Sequence, residues 1–292
     1  MTIKALLREI FALVIVATGT ARAMRALLWR DRVAILTYHD PAPETLDQHL
    51  TYLRRVCDVV QLDELAQPGT GHPRAVITLD DGHAGNAKLL PVFIKHNVRP
   101  TIFLCSGIVG RARRHWWLHP AARTVGIDAL KMLGNAQRLA TLEKYGYQPN
   151  EDDEATGLSV DQLKAMHPFV DFQSHTRFHP ILTRCEDDAC EDEIFNSKRE
   201  IEMMLGTQCE HFAYPNGNYG DREVRLLETA GYKTGRTCDV GWNDARSDRF
   251  RLRSIVIADD ASTRWFAAQL TGIPLFIRYL RGGAWSGRQR QS

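Results

Sequence analysis

Seven short apolar runs, rich in β-branched residues, punctuate the chain: Val33–Thr37, Ala75–Leu79, Thr101–Cys105, Phe169–Gln173, His211–Tyr214, Tyr232–Thr237 and Leu252–Ile257. Their shortness, with turn-forming residues close behind each, predicts strands rather than buried helices. Between them apolar positions recur at helical spacing over Leu46–Val56, Ala87–His96, Val160–Met166, Asp188–Leu205, Arg222–Thr229 and Thr263–Leu270. Ser159 and Gln162 have the spacing of a capping box, and Gly206 and Gly231 stand where helix C-caps belong. Strands alternating with helices predict parallel pairing through right-handed crossovers, in a barrel or a doubly wound sheet. The rhythm breaks once, between Ile108 and Gly157. That stretch reads as an insertion over one end of the fold, a lid or part of a groove. It holds His115-Trp116-Trp117, a helical pattern around Asp128–Lys144 and the acidic patch Glu151–Glu154.

The length of 292 residues suits a single barrel, and 44% apolar with 25% charged residues is ordinary globular composition. No apolar run reaches the ~20 residues of a spanning helix, which excludes a polytopic membrane protein. The net charge of +2 is unevenly spread. Residues 1–32 carry six basic residues against Glu9 and Asp31, and residues 277–292 carry four arginines and no acid. The body between is acidic, so no nucleic-acid partner is expected. The segment 1–32 reads in two ways. Lys4 and Arg8, then Ile10–Ala17 and Ala21-Arg22-Ala23, resemble a cleavable secretory signal, although Glu9 interrupts it. Continued through Met24–Arg30, the same residues suit a helix lying on a membrane surface, as does the basic tail 273–292. The expected location is the bacterial cell envelope or inner-membrane surface, with the cytoplasm as the alternative. The six cysteines show no Cys-x-x-Cys spacing and read as free, mostly buried thiols.

Three polar clusters follow three of the strands. Thr78-Leu79-Asp80-Asp81-Gly82 sets two carboxylates at a strand end. His175-Thr176-Arg177-Phe178-His179 places two imidazoles four residues apart, within reach of one ion. Phe212-Ala213-Tyr214-Pro215-Asn216-Gly217 runs a strand into a turn whose backbone N–H groups suit an oxyanion. In a parallel α/β fold all three meet on one face. Two histidines and an aspartate around a metal, with a second aspartate as base, form a hydrolytic arrangement.

These clusters resemble the first three motifs of the polysaccharide deacetylases with a NodB homology domain (carbohydrate esterase family 4), in the family's order, across residues 33–272. The resemblance implies a deformed (β/α)7 barrel that removes acetyl groups from amino-sugar glycans. It also implies one divalent ion, zinc before manganese, cobalt or nickel. By position, Asp80 would be the base, and Asp81, His175 and His179 the metal ligands. The Asn216 N–H would hold the oxyanion, and Tyr214 and Pro215 would shape the acetyl pocket. Trp116 and Trp117 are candidates for stacking on sugar rings, with packing inside the insertion as the plainer reading.

Two departures from the family stand out. Ala213 occupies the place of an arginine that orients the base, and no histidine follows the last strand, where the family has its general acid. Asp239 and Trp242 only hint at the fourth motif. In a closed barrel the first and last strands are neighbours, so His39 of Tyr38-His39-Asp40 falls where that acid is missing. With Asp40 beside it, His39 is the expected proton donor, and His83, read as a surface residue at a helix start, is the reserve. His115 and His119 read as packing around the tryptophans rather than a second metal site, and Glu186–Glu193 as a solvated helix face. Two alternatives remain at this point: a hydrolase of another acyl or amide bond, and a glycan-binding module without activity.

Overall fold

Val33–Tyr38 and Arg74–Leu79 are buried at every position, as strands covered on both faces must be. In the computed structural model, which describes residues 3–67, 71–148, 154–274 and 277, they are β1 and β3. Between them lies the two-residue β2 (Asp58–Val59), and after them come β4 (Thr101–Leu104), β5 (Asp171–Ser174), β6 (His211–Ala213), β7 (Thr234–Val240) and β8 (Leu252–Val256). All pairings are parallel. β3 through β8 run in chain order, and β1 bonds to both β3 and β8, closing a seven-stranded barrel with β2 attached to the start of β3. The closure is uneven. β1 and β3 match over six residues, β5 and β6 share only Ser174 with Phe212, and the β7–β8 register shifts between Arg236 and Val240. This is the expected deformed (β/α)7 barrel. The predicted runs at 169–173 and 232–237 sit two residues further on, as β5 and β7.

Side chains on a strand alternate between the barrel interior and the surrounding helices. Val33, Ile35, Val76, Phe103, Ala213 and Leu252 belong to the smaller core, filling the inside. Ala34, Leu36, Ala75, Ile77, Ile102 and Phe212 belong to the larger core beneath the helices. The same alternation carries upward. Above Val33 and Ile35 come Thr37 and His39, and above Val76 come Thr78 and Asp80. The two threonine hydroxyls meet at 3.1 Å. Polar chemistry is thus stacked on an apolar floor by parity alone.

The helices form where the periodicity predicts them, with the first shifted to Pro43–Leu53 and the run 87–96 divided between a 3-10 helix, Ala84–Leu89, and the α-helix Leu90–His96. The Ser159–Gln162 capping box is formed, and Gly206 takes the left-handed conformation (φ 69°) that ends the long helix Asp187–Leu205. The insertion between β4 and β5 has its own small core of Trp116, Ala121, Ala122, Leu130, Leu142 and Tyr147. Of its acidic patch, 151–153 lie outside the described residues. The N-terminal helix Ile3–Ala17 packs on Thr263–Gln269 through Ala12, Ile15 and Ala268, and the Ser262 hydroxyl donates to the Glu9 carboxylate. Among the described residues no single helix is long and apolar enough to cross a membrane, although Leu6–Ala17 and Thr20–Leu27, bent by 68°, pass such a test together. Of the C-terminal tail, only Ile273, Pro274 and Ile277 are described. All six cysteines are free, and all but Cys238 are buried.

Phe212 is fully buried, with ring centroids 5.4 Å from Tyr214 and 5.3 Å from Tyr232. Phe212→Ala should cost ~3–5 kcal/mol in urea denaturation. A cost under ~1 kcal/mol would mean that the layer between β6 and its covering helix is not close-packed.

Candidate active site

The strand ends converge on a cavity of about 380 Å³ whose polar lining includes Thr37, His39, Asp80, Asp81, His175 and His179. Asp80 closes the interior column of β3. Its Oδ1 is paired with the guanidinium of Arg236, a fully buried side chain of β7, and its Oδ2 lies 3.9 Å from His175 Nε2. Arg236 is the register partner of Ala213. The guanidinium missing from position 213 is therefore supplied from the paired position one strand over, where the small Ala213 side chain leaves it room. Phe103 lies under it, with 5.3 Å between guanidinium carbon and ring centroid. Sequence reasoning missed this residue. The available signal was an arginine in the middle of an otherwise strand-like run.

Asp81 turns the other way, at φ 73°, and Gly82 follows at φ 68°, where a Cβ would come within 2.7 Å of Leu104 Cδ2. Asp81 Oδ1 lies 3.5 Å from His175 Nε2 and 3.4 Å from His179 Nε2. Ligand atoms of these three residues all lie within 4.8 Å of one another. The arrangement fits a divalent ion. Asp81 Oδ1 is buried and has no hydrogen-bond donor, and one carboxylate oxygen with two imidazole nitrogens is a zinc-type donor set with room for further ligands. His175 Nδ1 sits 2.7 Å from the Ala213 carbonyl, which can only accept, so the proton is on Nδ1 and the Nε2 lone pair faces Asp81. Burial pushes both imidazoles down, His179 well below its usual range. Burial alone would raise Asp81, but His179, His83 and His175 around it hold its carboxyl well below the usual range.

An outer layer holds these groups. His83 is mostly buried and places Nε2 3.0 Å from Asp81 Oδ2, so it is no surface residue: the turn at Gly82 folds it back over the aspartate. His115, fully buried, places Nε2 3.2 Å from the Asp81 carbonyl and Nδ1 2.7 Å from the Thr156 hydroxyl, and burial pushes its pKa down to about 4. His119 caps Pro120–Val125 through the Ala121 N–H. Glu193 corrects the reading of Glu186–Glu193 as a solvated face. It is buried, and its Oε2 accepts the N–H groups of Arg177 at 2.7 Å and Phe178 at 2.9 Å. The Arg177 side chain pairs with Glu200 and Asp192. Together these bonds fix the tight turn that presents both histidines, in which Thr176 and His179 hold φ values of 66° and 55°. Among the described residues, five non-glycines have positive φ, and Asp81, Thr176, His179 and Asn216 are four of them. Such conformations cost on the order of 1–3 kcal/mol each and persist where surrounding bonds over-determine them.

His39 lines the cavity. The expected Asp40 partnership is not made, because Asn86 Nδ2 donates to Asp40 Oδ1 at 3.2 Å and to the His39 carbonyl at 2.8 Å. Asp259 fixes the loop instead, accepting the N–H groups of His39 at 3.1 Å and Asp40 at 3.0 Å. The segment after the last strand, which lacks a histidine, thus clamps the one at the end of the first.

The remaining predicted residues divide. Trp116 and Trp117 line the cavity. Trp116 Nε1 donates to the His179 carbonyl at 3.2 Å, and the Trp117 ring lies 4.5 Å from the His179 ring. Asn216 lies at the rim, its Oδ1 accepting from Lys131 of the insertion at 2.9 Å. Tyr214 does not reach the cavity. Parity turns it outward from the inward Ala213, it is fully buried, and its hydroxyl donates to the Phe250 carbonyl. Pro215 is buried and also stands apart from the lining. Asp239 accepts from Tyr219, and Trp242 packs against Gly272, so neither extends the site.

The sequence matches the polysaccharide deacetylase family over residues 67–235. No curated protein matches the chain. Among solved structures, the chain is similar to the deacetylase PplD of Streptococcus pyogenes in complex with acetate (19% identity, TM-score 0.61, covering 82% of this chain and 98% of that one). It is also similar to IcaB from Ammonifex degensii (18%, 0.59, 84% and 99%). A third neighbour is the de-N-acetylase from Aggregatibacter actinomycetemcomitans (15%, 0.57, 80% and 97%). At these identities the likeness is one of fold.

Burial, opposed by the N–H groups of Phe178 and Arg177, pushes Glu193 up from 4.5 to about 7. Between those values the folded chain keeps a proton that the unfolded chain releases. The contribution is therefore fully present below about pH 4.5 and is lost as pH rises through 7. Glu193→Gln removes the titration and keeps an acceptor. In denaturation across pH 4.5–7.5, the stability of the native protein relative to this variant should fall with rising pH by on the order of 3 kcal/mol. A constant difference would mean that Glu193 is ionised throughout.

Proposed function

This chain belongs to the polysaccharide deacetylase family, and we propose that it removes N-acetyl groups from an amino-sugar glycan, with Asp80 as base and His39 as acid. The observation that carries this reading is the pairing of Asp80 with Arg236 beside the Asp81–His175–His179 donor set. A carboxylate with one oxygen held by a guanidinium and the other turned toward a two-histidine, one-aspartate cluster is oriented to take a proton from water bound there.

A divalent ion held by Asp81, His175 and His179, zinc by the chemistry of its donors, supplies Lewis acidity toward the acetyl carbonyl and an acidified water. The rest falls to the chain. Asp80 accepts a proton as the water oxygen bonds to the carbonyl carbon, and Arg236 keeps the carboxylate aimed. The Asn216 N–H, in a turn held at φ 57°, donates to the developing oxyanion. His39, its backbone clamped by Asp259, gives its proton to the leaving nitrogen as the carbon–nitrogen bond breaks. The products are acetate and the free amine, with no covalent enzyme intermediate. Trp117, at the mouth beside His179, offers a ring for the sugar to stack on. A cavity of about 380 Å³ is within the range of ligand pockets.

Asp80→Asn should lower acetate release from N-acetylglucosamine oligomers by ~10²–10⁴-fold while bound metal, measured by mass spectrometry, stays stoichiometric. Undiminished turnover would remove Asp80 as base. His39→Ala should lower kcat by on the order of 10²-fold with KM little changed. If it does not, the proton comes from elsewhere. A chelator should abolish turnover and added zinc restore it, and activity that persists in metal-free protein would overturn the hydrolytic scheme.

A further inference from the structure

The chemistry above leaves the first thirty residues unused, yet they are built onto the barrel. One side of Ile3–Ala17 is pinned: Ala12 and Ile15 are buried, Phe11 meets the Trp265 ring at 6.5 Å, and Glu9 is bonded to Ser262. The opposite side carries Leu6, Leu7, Ile10, Leu13, Val14 and Val16, each between 38% and 61% exposed. Their spacing is that of one helix face, and all six are aliphatic. Exposed large apolar side chains number fourteen among the described residues, and seven of them, with Leu27, fall in this segment. Chance scatter over a surface does not concentrate them so.

The chain then bends and crosses the base of the barrel, at the opposite end from the active site. Trp29 fixes this crossing, fully buried with its Nε1 donating to the Arg74 carbonyl at 2.8 Å. Between the crossing and the barrel lies a groove of about 710 Å³, lined by Arg22, Arg25, Arg30 and Arg55 with His72 and no carboxylate. A second groove shares Arg30 and carries Leu27, 77% exposed, on its rim. Arg25 also donates to the Tyr52 hydroxyl, whereas Arg22, Arg30 and Arg55 are exposed; guanidiniums gathered around one concavity, on a protein whose body is acidic, favour an anion there. Their planar forks match phosphate oxygens.

We propose that this surface docks the protein on an anionic phospholipid bilayer, the arginine groove taking lipid phosphates and the aliphatic face of Ile3–Ala17 entering the acyl-chain boundary. Two independent features point to a lipid surface. An anion groove alone would fit a soluble phosphate, and an apolar face alone a second copy of the chain. Both on one segment match the two-signal chemistry of peripheral membrane binding. The helix lies on the surface rather than through it, because its inner side is committed to Thr263–Gln269 and its polar Glu9 to Ser262.

The test is co-sedimentation of the full chain with vesicles of phosphatidylcholine alone or with phosphatidylglycerol. The chain should bind the mixed vesicles far more tightly, and release with rising salt. Arg22→Gln, Arg30→Gln and Arg55→Gln together should weaken that binding by on the order of 100-fold. Leu7→Ser, Ile10→Ser and Val14→Ser should weaken binding to both compositions. Acetate release from soluble oligomers, unchanged in both triple variants, reports that they fold. Five results would overturn the proposal, the first three being no preference for anionic vesicles, an arginine variant that binds like the parent, and inorganic phosphate displacing the chain from vesicles at millimolar levels. The fourth is a chain that sediments alone as a dimer, becomes monomeric with the serine variant and ignores vesicles; this would assign the face to a second copy. Resistance of vesicle-bound chain to alkaline carbonate would mean that the helix spans the bilayer, and would overturn surface docking too.

Discussion

A strand in a closed barrel can aim only every second side chain at the axis, and most of this protein's chemistry follows from where that count begins on each strand. Starting from Val33 it delivers His39; from Val76, Asp80; and in register with the inward Ala213 it turns Arg236 inward too. The apolar members stack below and the polar members above. A one-residue slip in any strand would bury the polar set under helices and expose its apolar neighbours to the mouth. Register is therefore as much a catalytic constraint as a structural one.

Gathering charge in such a place is costly. Asp80, Asp81 and Arg236 are almost wholly removed from water, and two imidazoles stand against them. The arrangement persists because each group is held from behind: the Asp81 carbonyl by His115, the His175 ring by the Ala213 carbonyl, the histidine turn by Glu193, and the His39 loop by Asp259. The left-handed residues among them mark where backbone comfort is given up for aim.

The seven strands and the three polar clusters were legible because each is a local pattern: a short apolar run closed by a distinctive group. What escaped was non-local or depended on burial. Arg236 is invisible as a partner of Asp80 until β6 and β7 are aligned, since nothing within either segment links them. Glu193 sits in a run of acids, and only the turn packed on it distinguishes it from its solvated neighbours. Tyr214 was misdirected by the neighbouring cluster, although counting outward from Ala213 would have turned it away. Asp40 looked like the partner of His39 because it is adjacent, yet adjacent residues at a strand end face opposite ways.

The clamp between Asp259 and the His39 loop spans 220 positions, which gives the site a timetable. During synthesis, the donors at 81, 175 and 179 leave the ribosome well before Arg236, and the clamp comes later still. A chain interrupted between residues 180 and 235 would carry the whole Asp81, His175 and His179 donor set and lack both Arg236, which pairs with Asp80, and Asp259, which clamps the His39 loop. The donor set is thus complete before the groups that hold Asp80 and His39 in place.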